Sequence, residues 1–267
     1  MPSLTIRART GLVLAAAATL VTTAALHPAP ASAASSPAGT PAHATAAVLD
    51  LDGVGRAPVV HGEDTAYDTA SIVKVDILAA LLLQAQDAGR GLTAQERAHA
   101  EPMIKQSDNA AADALWRRIG QADGLTAANK RLGLTSTTSG PGGKWGLTRT
   151  TASDQIRLLR AVFDGDGDDT AVKTGATALN AGSRAYINTL MSQVVPEQRW
   201  GVSAVGSRHA LKNGWLQRTT SGLWDVNSVG QVTVNGHRYL VAVLSNGSAS
   251  MAEGVSLVEQ TARGAVA

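Results

Sequence analysis

The sequence predicts an α/β (α+β) fold in which an antiparallel five-stranded sheet is flanked by helices and interrupted by an all-helical subdomain at roughly 71–194. Alternating segments near the start indicate two strands, helix-period patterns fill the middle, and three further strands precede a closing helix. Because strands that follow one another through short turns usually pair in antiparallel fashion, this order favours one sheet with a helical insertion.

The first 33 residues are typical of a secretory signal peptide. Arg7 and Arg9 precede an apolar run at 11–26, and Ala31-Ser32-Ala33 supplies the small residues of a cleavage site. We expect cleavage after Ala33, a flexible linker over 34–45, and a secreted protein without a stable membrane anchor. The chain contains no cysteine, so the sequence predicts neither a disulfide nor a lipid-modified start.

The charge balance does not favour a nucleic-acid partner. The formal net charge is +2, and the predicted signal peptide removes two arginines and no acidic residue, which leaves a balance of zero. Binding to phosphate backbones requires a surplus of basic residues. The predicted mature domain, 46–267, is long enough to bury a sizeable core, and we expect a monomer.

The strand and helix predictions follow from hydrophobic periodicity and capping signals. A strand at 47–52 can pair with 56–61 across the Asp52-Gly53 turn, and Asn235-Gly236 marks a hairpin between two late strands. Thr93 and Glu96 form a capping box before a short helix that Pro102 is expected to interrupt. The other predicted helices cover 110–119, 121–132, 151–163, 183–194 and 250–263, and the late strands cover 209–216, 223–234 and 238–245.

The helix that begins at Ser71 carries the first candidate site. Its run to Leu83 contains only two charged residues, Lys74 and Asp76, so the helix should be buried. Lys74 lies one turn after Ser71 on the same face. Burial and the positive end of a helix lower a lysine pKa, so this pair offers a nucleophile and a base. The alternative is an N-cap serine beside a lysine that extends out of a core helix.

Two further motifs follow this pair. Ser107-Asp108-Asn109 lies between two predicted helices, and K-x-G occurs at Lys144, Lys173 and Lys212. The three motifs in this order resemble those of serine β-lactamases and penicillin-binding proteins, S-x-x-K, S-D-N and K-T-G. The resemblance extends from residue 46 to the end of the chain and is greatest to class A β-lactamases, whose β-lactamase-like fold it implies.

The third motif has two candidates. Lys173-Thr174-Gly175 matches the family letters but lies between helical segments. The family's motif lies on a strand beside the nucleophile, which favours the segment that begins at Lys212. Asn213 stands there where the family has threonine or serine, and Trp215 stands where a small residue is usual. We expect both departures to face the substrate.

The resemblance implies a role for each of these residues. Ser71 is the nucleophile, Lys74 accepts its proton, and Ser107 relays a proton to the leaving nitrogen. The substrate-binding residues are Asn109, Lys212, Asn213, Gly214 and Trp215, and backbone N–H groups of Ser71 and Trp215 form the oxyanion hole. The expected substrate is a β-lactam or a peptidoglycan-like peptide, and neither a metal nor another cofactor is needed.

One family feature is absent. Class A enzymes carry a glutamate on the omega loop that activates the deacylating water. The corresponding segment here, Gly124–Ser153, contains no aspartate or glutamate. Loss of a general base costs about 10²–10⁴ in rate, so we expect weak deacylation. A D,D-peptidase or esterase that acts on cell-wall peptides, and a non-catalytic binding protein of the same fold, stay as alternatives.

Other site patterns find little support. The chain has no G-x-S-x-G and no H-E-x-x-H, and its six histidines lack zinc spacing. Asp164, Asp166 and Asp168 match the start of a calcium loop, but its glycine and its final glutamate are replaced by Asp169 and Gly175. We interpret this segment as a solvated interhelical loop.

Overall fold

Strands from both ends of the domain form one sheet. The computed structural model describes residues 41–54, 57–164 and 178–267. The strands in these ranges are β1 (His43–Asp50), β2 (Val59–His61), β3 (Tyr67–Asp68), β4 (Arg149–Thr150), β5 (Ser207–Gln217), β6 (Trp224–Val234) and β7 (His237–Ser248). The large sheet has the antiparallel order β2-β1-β7-β6-β5, and β3 pairs with β4 separately. The prediction of a five-stranded antiparallel sheet is confirmed.

Helices occupy the middle of the chain and its last segment. The α-helices of the described ranges are α1 (Val73–Asp87), α2 (Ala94–Lys105), α3 (Asn109–Ile119), α4 (Gln121–Leu132), α5 (Ala152–Phe163), α6 (Ala181–Ser192) and α7 (Met251–Val266). Short 3-10 turns occur at Ala70–Ile72, Pro141–Gly143, Trp145–Leu147, Pro196–Gln198 and Gly201–Val205. All helices from α1 to α6 fall within the predicted helical insertion.

The two faces of the sheet bury different apolar sets because side chains alternate along a strand. On β1, Leu49 belongs to the large core that α1 and α5 cover, whereas Val48 belongs to a smaller core that also contains Val258 of α7. Helices therefore flank the sheet on both faces, as the sequence predicted.

Helix α1 lies in the centre of the larger core. Twelve of its fifteen residues are buried, among them Lys74 and Asp76. Full burial of one large aliphatic side chain contributes about 1.5–3 kcal/mol, so α1 is a major source of the stability of the fold. The predicted burial of this helix is confirmed.

Several predicted boundaries are wrong. Strand β1 begins at His43, inside the predicted linker, because Thr45 can be buried where its hydroxyl contacts Tyr67 Oη at 2.8 Å and Glu63 O at 2.6 Å. Pro102 lies inside α2 and does not interrupt it. Strand β2 begins at Val59, so the connection from β1 is longer than the predicted Asp52-Gly53 turn.

Some predictions fall outside the described residues. These are the signal peptide at 1–33, the linker up to 40, the candidate calcium loop beyond Asp164, and the rival motif at Lys173. Within the described ranges, no helix combines the length and the apolar character needed to cross a membrane.

Candidate active site

Ser71 lies at the entrance to α1, in the 3-10 turn Ala70–Ile72. It is not an N-cap, because Thr69 is the N-cap of the 3-10 turn and Ile72 is that of α1. Ala70, just before it, has a φ of +47°, a left-handed conformation that a residue with a Cβ rarely adopts. Such strain costs about 1–3 kcal/mol and persists only where the surroundings impose it.

Three hydrogen bonds, which involve Asn227 and Thr148, hold this strained turn. The side-chain amide of Asn227 on β6 donates to Asp68 O at 2.9 Å and to Thr69 O at 3.1 Å, and the backbone N–H of Thr69 donates to Thr148 O at 2.8 Å. Sequence reasoning missed Asn227. A polar residue among alternating valines of a predicted central strand was the available signal, because a buried amide needs partners.

Lys74 points to the second motif. Its Nζ donates to Ser107 O at 2.6 Å, Ser107 Oγ at 3.1 Å and Asn109 Oδ1 at 2.8 Å. These contacts use the three donors of an ammonium group. Within the described residues the hydroxyl of half-buried Ser71 has no hydrogen-bond partner, so the expected contact between Lys74 and Ser71 is not present. The helical turn places Ser71 and Lys74 on one face, but Lys74 Nζ donates its hydrogen bonds to Ser107 and Asn109 instead.

Burial lowers the pKa of Lys74 to about 8, and the negative charges of Asp108 and Asp113 act in the opposite direction. The side chain is fully buried. A lysine with a pKa of about 8 is neutral in an appreciable fraction of molecules near neutral pH, so it can accept a proton.

Ser107 joins the two lysines of the site. Its Oγ lies 3.1 Å from Lys74 Nζ and 2.9 Å from Lys212 Nζ. Burial and then the positive charge of Lys74 hold the pKa of Lys212 well below its usual range. A hydroxyl can accept from one amine and donate to the other, so Ser107 can carry a proton between them. The structure thus brings Lys74, Ser107, Asn109 and Lys212 together beside Ser71.

The side chain of Asn109 contacts Lys74 through its oxygen and is exposed. Its Oδ1 accepts from Lys74, and the side chain lies at the exposed first position of α3. The neighbouring Asp108 caps this helix by accepting from Ala111 N at 2.7 Å. This cap explains why the middle residue of the motif points away from Lys74 while its two neighbours contact it.

Gly214 brings β5 against Ser71. A Cβ at this position would lie 2.7 Å from Ser71 N, 2.8 Å from Ile72 N and 2.8 Å from Thr69 O. No side chain fits at these distances to backbone atoms, so glycine is required. The strand chosen from the sequence for the third motif therefore packs directly on the turn that carries Ser71.

The side chains of Asn213 and Trp215 lie on the opposite face of β5. Asn213 donates to Gln198 O at 2.9 Å and to Trp200 O at 3.0 Å, and the Trp215 ring packs 6.0 Å from the Trp200 ring between centroids. The expectation that these side chains face a substrate beside Ser71 is wrong, because strand alternation directs them into the core beneath α7. The backbone of Trp215 is unaffected by this argument.

The segment without acidic residues also reaches the site. Trp145 places its ring over Lys74 Nζ, 4.9 Å from the ring centroid, and its indole N–H donates to Asp113 Oδ1 at 2.7 Å. The contact between Trp145 and Lys74 was not predicted from the sequence. No group of three or more metal-ligating side chains occurs in the described parts of the chain.

Comparison with known proteins identifies the family of the chain. The model of a family described as the beta-lactamase enzyme family matches residues 87–267. The match begins after Ser71 and Lys74 and includes Ser107, Asn109 and Lys212. A candidate lipoprotein named LppW, from Mycobacterium tuberculosis and from Mycobacterium bovis, is 30% identical over 182 residues, which are 65% of this chain. The chain spans about half the length of these curated relatives, 54%.

Solved structures share the fold. A variant of PBP-A in an acyl-enzyme complex with penicillin G has a TM-score of 0.66 at 24% identity, over 83% of this chain and 88% of that one. The extended-spectrum β-lactamase TLA-1 has a TM-score of 0.68 at 15% identity, over 84% and 93%. A β-lactamase from Streptosporangium roseum has a TM-score of 0.64 at 20% identity, over 83% and 91%. With the family match over most of its length, the chain belongs to the beta-lactamase enzyme family.

Proposed function

We propose that the protein is an exported serine hydrolase that forms an acyl-serine intermediate with β-lactams or related amides and esters and releases the acyl group slowly. The observation that carries this proposal is the convergence of Lys74, Lys212 and Asn109 on or beside Ser107, with Ser71 one turn before Lys74 at the entrance to α1. This arrangement contains a nucleophile, a buried amine and a hydroxyl between two amines.

The first half-reaction follows from these contacts. Ser71 Oγ attacks the substrate carbonyl carbon, and its proton passes to neutral Lys74. Backbone N–H groups of Ser71 and Trp215 stabilise the oxyanion, and each such donor contributes about 10²–10³ in rate. When the carbon–nitrogen bond breaks, Ser107 gives its proton to the nitrogen and recovers one from Lys74, so the protons balance.

The second half-reaction lacks a dedicated base. Water must attack the acyl-Ser71 ester and lose a proton, but Gly124–Ser153 supplies no carboxylate. A β-lactam nitrogen stays tethered to the acyl group and continues to occupy the site, whereas a peptide or ester leaving group departs. We therefore expect persistent β-lactam adducts. The same feature favours a D,D-peptidase or esterase that acts on cell-wall peptides as the second candidate.

The proposed location is outside the cytoplasmic membrane. The predicted signal peptide supports export, and the relative named as a lipoprotein is consistent with a cell-envelope site. Since the sequence offers no cysteine for lipid attachment, we propose secretion without lipid, from Ala34 onward. The mass and N-terminal sequence of protein recovered from the culture medium test this proposal.

Intact-protein mass spectrometry after exposure to penicillin G tests the activity. We expect one adduct of the penicillin's own mass that persists for minutes, and its loss in Ser71→Ala. Ser221→Ala, in an exposed turn, is the matched control and should keep the adduct. Rapid turnover without an adduct would contradict slow deacylation. Absence of both adduct and turnover, with a panel of esters and peptides also inert, would favour a non-catalytic binding protein.

A further inference from the structure

The ring of Trp145 closes one side of the buried amine. Three acceptors from Ser107 and Asn109 surround Lys74 Nζ on the α3 side, and the indole lies 4.9 Å away, measured to its centroid. With these neighbours in place the lysine side chain is fully buried. Water therefore does not reach Nζ while the ring is in position.

Hydrogen bonds hold both the side chain and the backbone of Trp145. The indole N–H donates to Asp113 Oδ1 at 2.7 Å, and the backbone carbonyl of Trp145 accepts from Thr148 N at 3.0 Å. Thr148 O in turn accepts from Thr69 N, two residues before Ser71, at 2.8 Å. The segment that carries the ring is thus tied to the segment that carries the nucleophile, so the ring and Lys74 hold a fixed relation.

Two effects of the ring on Lys74 oppose each other. The negative face of an indole attracts an ammonium, which favours the charged form. Exclusion of water favours the neutral form, and burial is the largest cause of the lowered pKa of Lys74. Burial of Lys74, to which the ring contributes, therefore outweighs the neighbouring charges that favour the ammonium form.

We propose that Trp145, anchored by Asp113, is a positioning residue that shields Lys74 from bulk water and thereby slows hydrolysis of the acyl-serine without hindering its formation. This proposal rests on the proposed function. Acylation needs the amine beside Ser107 and Ser71, where substrate displaces solvent. Hydrolysis needs a water molecule beside the same amine, and the ring occupies that side. Trp145 thus lies in Gly124–Ser153, the same segment that lacks a carboxylate to activate water.

The lifetime of the penicillin G adduct on the full mature chain is the first test. Trp145→Ala should shorten the lifetime of the adduct about tenfold, since water gains access to Lys74. Trp145→Phe keeps a ring over the amine and should keep the lifetime within about threefold of the parent. Trp224→Phe, at the start of β6 in the core beneath α7, is the matched control and should change nothing. An unchanged lifetime in folded Trp145→Ala would overturn the proposal.

The titration of Lys74 is the second test and does not need acylation. The charged groups that act on this amine are Asp108, which caps α3, Asp113 within α3, and Lys212 of β5. In Trp145→Ala, water should raise the pH midpoint of the Lys74 Cε resonance by about one unit, towards the ordinary value. In Trp145→Phe it should stay near the parent value. A lower midpoint in Trp145→Ala would show that the ring acts only by cation attraction and would overturn the shield.

The anchor has its own variant. Asp113→Asn keeps an acceptor for the indole but removes a negative charge that favours protonated Lys74, so the midpoint should fall while the adduct lifetime is kept. Asp123→Asn, on exposed α4, is the control for loss of a surface charge and should move neither quantity. If the parent protein forms no adduct, the proposed function fails, and the midpoints still decide whether the ring shields Lys74.

Discussion

The side chains on the two faces of β5 have different surroundings, although they belong to one motif. Lys212 and Gly214 face α1, where the amine contacts Ser107 and the glycine lies against the Ser71 turn. Asn213 and Trp215 face away, where the amide bonds two carbonyls and the ring packs on Trp200. Four consecutive residues therefore alternate between the site and the core.

This comparison shows that the differences from the family's third motif affect side chains that pack in the core and not those that face Ser71. Asn213 and Trp215 differ from the family letters, but their side chains pack into the core beneath α7 and do not face a substrate beside Ser71. The residues on the other face keep the family letters. The altered third motif is thus weaker support for a non-catalytic protein than the letters alone indicate, and variants on the two faces can test this difference.

Lys212→Met should have the largest effect on catalysis. Methionine keeps most of the buried volume but removes the donor to Ser107 Oγ and Asn213 O, and we expect acylation of Ser71 to fall by about 10²–10³. The acylation rate with penicillin G measures it. Lys173→Met, in the rival K-T-G, should leave the rate unchanged. The reverse result in folded proteins would move the third motif to Lys173.

Gly214→Ala should have the next largest effect. Its Cβ would meet backbone atoms of Ser71, Ile72 and Thr69, which cannot move independently of the turn. We expect overpacking to lower the free energy of unfolding by about 1–3 kcal/mol and to slow acylation as well. Urea unfolding and the acylation rate measure the two effects. Gly264→Ala, in helix α7 where a Cβ meets nothing within 4 Å, should leave the acylation rate unaffected and should not lower the free energy of unfolding.

Asn213→Thr restores the family residue and should cost stability without improving catalysis. Threonine is too short to reach both Gln198 O and Trp200 O, so at least one buried carbonyl loses its donor, at about 1–3 kcal/mol. The acylation rate should stay within about threefold of the parent. A clear gain in acylation would mean that the side chain at this position does face the substrate.

Trp215→Phe should have the smallest effect. Phenylalanine retains a ring against Trp200, and the backbone N–H proposed for the oxyanion hole is kept. We expect a loss of about 1 kcal/mol in unfolding free energy and an unchanged acylation rate. A large fall in acylation with intact stability would place the indole at the substrate and remove the distinction between the two faces.

The sequence predicted what local patterns determine. Helix α1, the capping box of Thr93, the Asn235-Gly236 hairpin and the order of strands depend on periodicity and on residues close in sequence. The choice of Lys212 over Lys173 depended on strand context, and β5 does lie against Ser71. Which side of β5 each residue faces was misjudged, although the period of a strand contains that information.

Contacts between distant segments escaped prediction. Nothing near Asn227 in the sequence indicates that its amide holds the turn before Ser71, and nothing near Trp145 indicates that its ring covers Lys74. The strain at Ala70 is likewise invisible, since alanine is compatible with ordinary helix entry. These features arise only when β6, the segment before α5 and the start of α1 meet.

The pairing of β1 with β7 has a consequence for the order in which the chain is made. The first strand of the domain acquires its main partner only when the last strand exists, with His43 opposite Asn246 and Asp50 opposite Tyr239. Pairings between such distant segments form slowly. Lys212 and Asn227 also come late, so Ser71 is synthesised long before its neighbours on β5 and β6. A chain still emerging from the ribosome therefore contains Ser71 without β5 and β6, and the proposed acyl-transfer site is complete only when synthesis is almost finished.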